Sequence, residues 1–226
     1  RDFLAEDGKS RFIIEDDESS QVGRIYEFVR KIFAHDGAVV LRFGTPIDPF
    51  GNEVNDQLQS IDQRGRVLDP KTYLQNNRGE ICVDIQRNFE YTRRLGKSIV
   101  ASFQKNTVYM YTNLVCRVLF DELCQQVHSR DVYEILRVSA SRGELSFDEL
   151  VVGVERLIER IQEHPEWGVV EVGGGDIRES CHRAIEVLGA YHTRPVVTQA
   201  NHYVSGQCTN LLFYYQNRCS RIPVEE

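Results

Sequence analysis

The chain has 226 residues, 41% hydrophobic and 27% charged, and 27 Lys and Arg against 34 Asp and Glu give a net charge of -7. This balance fits a folded chain of one large or two small domains and excludes disorder and collagen-like repeats. Its acidity argues against a sequence-independent nucleic-acid binder, and its longest strongly apolar uncharged run, residues 107–116, falls short of the ~18 residues that a membrane-spanning helix needs.

Residues 1–18 are acid-rich, with Glu15, Asp16, Asp17 and Glu18 following apolar Phe12, Ile13 and Ile14, and read as a connector with a short strand. The chain begins at Arg1 rather than Met, which suggests a piece of a longer protein. From Ser19, Val22, Ile25, Tyr26, Val29, Ile32 and Phe33 recur at helical spacing and stop at Asp36-Gly37, predicting an amphipathic helix. Residues 38–43 are a compact apolar run between Gly37 and Gly44 and predict a buried strand. Residues 46–70, rich in Pro, Gly, Asn and Asp, show no periodicity and predict a long ordered loop. No internal repeat stands out.

The remainder reads as helical. Ile85, Phe89, Thr92, Ile99 and Phe103 form one stripe, and residues 108–123 are apolar almost all round, as in a central helix. Ser146 and Glu149 have capping-box spacing, with Phe147, Leu150, Val151, Val154, Leu157, Ile158 and Ile161 as the core face. Asp176 and Glu179 predict a similar start for a helix with Ile177, Cys181, Ala184, Ile185 and Leu188 inward, ended near Gly189. Residues 195–197 look extended, and 210–221 return to helix. The fold class is therefore mainly α: a helical C-terminal domain, 71–226, preceded by a short α/β remnant of one or few strands with its loop, 1–70.

Complete catalytic constellations are not evident. The string Val169-Val-Glu-Val-Gly-Gly-Gly-Asp176 resembles the first motif of methyltransferases that bind a nucleoside cofactor. However, the third spaced glycine position is Arg178, and a glycine linker before a capped helix accounts for the string more simply. His35, His128, His164, His182, His192 and His202 stand in no base or ligand pattern. Cys82, Cys116, Cys124, Cys181, Cys208 and Cys219 contain no C-x-x-C pair or zinc spacing and read as reduced, core-like thiols. No metal, cofactor or catalytic residue is assigned.

Two polar clusters exceed what scaffolding needs. One runs Arg42-Phe-Gly-Thr-Pro-Ile-Asp48-Pro-Phe-Gly-Asn52 and continues through Ser60, Asp62, Arg64 and Arg66; the plainer alternative is that Asp48 and Asn52 make turns and the arginines are solvated. The other is Leu211-Leu-Phe-Tyr-Tyr-Gln-Asn-Arg218, where aromatic packing is the plainer role.

Val40-Leu-Arg-Phe-Gly-Thr-Pro-Ile-Asp-Pro-Phe-Gly-Asn52, Ser60-x-Asp62-x-x-Gly65-Arg66, Asn88-x-Glu90-Tyr-Thr-Arg93-x-Leu95 and Leu212-x-Tyr-Tyr-x-Asn217-Arg218, in this order, resemble the C-terminal part of bacterial glycerol-3-phosphate acyltransferases. The resemblance spans roughly residues 20–221. It implies a parent enzyme of phospholipid biosynthesis in which a hydroxyl of glycerol 3-phosphate attacks an acyl thioester on coenzyme A or acyl carrier protein. A His-x-x-x-x-Asp motif supplies the base. Five residues after the six histidines stand Val40, Tyr133, Val169, Val187, Val197 and Gln207, so that motif is absent and belongs upstream of Arg1. The resemblance implies a supporting region, inactive alone, whose partner is the upstream catalytic domain. It also implies a cytoplasmic location, with any peripheral membrane contact belonging to the parent. Arg42, Asp48, Asn52, Arg66, Tyr215, Asn217 and Arg218 match the family strings and are expected at the substrate or the domain interface. A non-catalytic helical module for a protein or membrane surface is the alternative.

Overall fold

The computed structural model describes residues 40–62, 64–171, 175–190, 192 and 194–223. The amphipathic helix expected from Ser19, like the connector before it, lies outside the described residues. The described chain is mainly α, and no described helix is long and apolar enough to cross a membrane.

The expected buried strand is overturned where it can be seen: residues 40–43 form none, and Leu41 and Phe43 are 78% and 91% exposed. An apolar run between glycines satisfies the local signal for a strand, but no neighbouring strand pairs with it here.

The expectation of an aperiodic loop without repeats is overturned as well. Asp48, Asn55, Asp62, Asp69 and Asn76 recur every seven residues. Four of them close the same turn. The side-chain Oδ1 accepts from the amides two and four residues on, at 2.8–3.1 Å. The backbone N–H of the first residue donates to the carbonyl of the fifth, and that of the fourth donates back to the first. The fourth residue, Gly51, Leu58, Gly65 or Gly79, takes φ between 60° and 80°, as a three-residue hairpin loop ending in a left-handed residue requires. Asp69 instead opens a short 3-10 turn, Pro70–Leu74, by accepting from Lys71 N. Between turns run β1 (Glu53–Val54), β2 (Ser60–Ile61) and β3 (Val67–Leu68), an antiparallel meander.

Helix α1, Ile85–Lys105, is capped by Asp84, which accepts from Arg87 N. It lies on the ladder through Tyr91, Arg94 and Ser98. No α1 residue is fully buried.

The apolar core begins beyond α1. β4 (Val108–Tyr109) leads into α2 (Tyr111–Val127), which is buried at Tyr111, Leu114, Val115, Cys116, Leu119, Phe120 and Leu123 among others, as a central helix should be. A single turn, α3 (Val132–Ile135), and β5 (Leu145–Ser146) precede α4 (Phe147–Glu163). The Ser146 capping box is present in both directions, and α4 buries the seven expected core-face residues. β6 (Val169–Val170) pairs parallel with β4, two residues each, and α5 (Ile177–Ala190) buries Cys181, Ala184, Ile185 and Leu188. The parallel sheet that a nucleoside-cofactor fold needs is thus, among the described residues, a single two-residue pairing between helices. The extended expectation at 195–197 resolves into a hairpin, β7 (Val197–Ala200) and β8 (Tyr203–Gly206), on whose outer edge β5 pairs. α6, Thr209–Gln216, packs back on α2 and runs into a 3-10 turn.

Arg117 ties the last described residues to the centre. Its side chain is 5% exposed and donates to Asp121 at 2.6 Å, to Cys219 O at 2.8 Å and to Ile222 O at 3.1 Å. All six cysteines are free, with Cys116, Cys181 and Cys219 buried; burial pushes the Cys181 and Cys219 thiols up to about 12.

Candidate functional site

Asp48 and Asn52 are the first two predicted site residues that the fold joins. Both are buried, and both sit in the first ladder turn. The Asp48 carboxylate accepts from Phe50 N at 2.8 Å through Oδ1, and from Asn52 N and Nδ2 at 2.9 Å through Oδ1 and Oδ2. Burial alone raises its pKa, but the bonds from Asn52, Ser60 and Phe50 together outweigh that and hold it below the usual carboxylate value. Asn52 spends its amide on Asp48, and its Oδ1 accepts from Tyr73 Oη at 3.2 Å and Arg94 Nη2 at 3.3 Å.

Around this knot stands an aromatic triad. Phe50 stacks on Tyr73 at 4.8 Å, and Tyr91 meets both edge-on at 5.5 and 5.3 Å. Phe50 comes from the first ladder turn and Tyr73 from the 3-10 turn that Asp69 opens. α1 supplies Tyr91 and Arg94, three apart and so on one face of the helix. Gly51 lies against α1: a Cβ there would come within 2.7 Å of Ser98 Oγ, whose hydroxyl donates to Gly51 O at 3.3 Å.

The other predicted residues are elsewhere. Arg42 is exposed in a stretch without secondary structure. Arg66 is exposed and pairs with Asp62 within its own turn at 2.7 Å, the solvated role foreseen as the plainer one. Tyr215 and Arg218 belong to a second group built on α2, β4 and α6. Tyr215 Oη meets His192 Nε2 at 2.9 Å, Asn113 Nδ2 donates to Tyr215 O at 3.1 Å, and Arg218 Nε donates to Val108 O at 3.2 Å. Asn217 is exposed at the α6 terminus.

Tyr73 and Arg94 were not singled out from the sequence. Arg94 is an unmatched position inside the third family string, and Tyr73 lies between strings. The seven-residue register places Tyr73 in the fourth repeat, the one that Asp69 opens; Arg94 lies outside the register, on α1.

Chemically the knot is a framework. Its carboxylate is saturated by amides, and its hydroxyl and guanidinium converge on one amide oxygen. Among the described residues, Arg94 makes no ion pair, and no three His, Cys, Asp or Glu side chains stand together as metal ligands. Phe147, flanked by the His182 ring at 4.0 Å and by Arg178 at 5.2 Å, is a separate stack on the helical core.

Compared with family models, curated proteins and solved structures, the chain matches none.

Proposed function

We propose that this chain is the C-terminal portion of an acyl-thioester-dependent glycerol-3-phosphate or lysophospholipid acyltransferase, supporting a catalytic domain that it does not itself contain. One observation carries the reading. Residues of three of the four family strings, separated by about forty positions, meet in one knot: Asp48 and Asn52 from the first, Ser60 from the second, and Tyr91 from the third. Short strings scattered by chance have no reason to share a site. The knot's polar groups are consumed in holding one another, which suits a part that shapes a neighbouring surface rather than one that reacts.

Acyl transfer to glycerol 3-phosphate, assayed with the purified 226-residue chain and an acyl thioester, is expected to stay at background. Turnover that scales with this chain overturns the supporting role. The coding sequence before Arg1 is expected to encode His-x-x-x-x-Asp, and its absence there overturns the acyltransferase reading itself.

A second reading, a non-catalytic interaction module, is favoured by one feature: Ile85, Phe89 and Phe103 on α1 remain 84%, 67% and 72% exposed.

A further inference from the structure

We draw no further inference here: the strongest candidate, the open apolar face of α1 formed by Ile85, Phe89, Val100 and Phe103, carries none, because nothing in the structure shows what covers it.

Discussion

Asp48 and Leu58 occupy the first and fourth places of neighbouring turns, and each departs from its equivalents in a way that can be measured. Asn55 and Asn76 make with an amide the turn that Asp48 makes with a carboxylate, so Asp48→Asn keeps the turn and loses the carboxylate's charge, which strengthens the bonds from Asn52 Nδ2 and Ser60. At neutral pH the variant is expected to loosen the first turn by about 1 kcal/mol. Because the folded pKa of Asp48 is lowered, its contribution is complete above the ordinary value of 3.8 and disappears as pH falls through the folded value. The difference between wild type and variant should therefore vanish in acid; amide exchange of residues 48–54 measured across that range checks it. Leu58 holds φ 60° where the other turns have glycine, and it is 86% exposed. Leu58→Gly removes left-handed strain without losing burial and is expected to stabilise the second turn by roughly 0.5–1 kcal/mol. A fall in protection at Gln59 and Ser60 in that variant would show the strain to be absent.

Among the elements, α4 and α2 meet where glycine is needed. A Cβ on Gly153 would lie 2.7 Å from Val118 Cγ1, so Gly153→Ala, a change that gains helix propensity on an exposed helix, is expected to cost about 1–3 kcal/mol here. In a Val118→Ala background the same change should become neutral or favourable, and urea unfolding of the four proteins measures that coupling. Independent costs that simply add would refute the contact. This helical half was legible in the sequence: the Ser146–Glu149 cap and the seven inward residues of α4 depend on local chemistry and a 3.6-residue period, both visible in one chain. The ladder was not, because its period is carried by backbone-capping Asp and Asn and by left-handed residues, while the hydrophobic positions between them vary. The run misled at residues 40–43 for the converse reason, since an apolar run signals burial but does not supply a partner. Asp48 and Asn52 were legible as a turn. Their meeting with Tyr73 and Arg94 depended on stacking successive turns against α1, which no short string encodes.

At the scale of the whole molecule the two halves are stabilised by different physics. Among the described residues, every buried hydrophobic one lies between Tyr109 and Ile222, and from 40 to 105 the buried ones are Asp48, Asn52 and Ser60. The helical half draws on apolar burial, with Arg117 fastening residues 219 and 222 to its centre; the ladder and α1 draw on turn hydrogen bonds and one aromatic triad. Hydrogen bonds close to water contribute little net free energy, so the ladder half should open without unfolding the core. Native-state hydrogen exchange at low urea is expected to show residues 48–105 exchanging through a partial opening with shallow urea dependence, while α2 and α4 exchange only with global unfolding. Equal protection and equal urea dependence in both halves would overturn this.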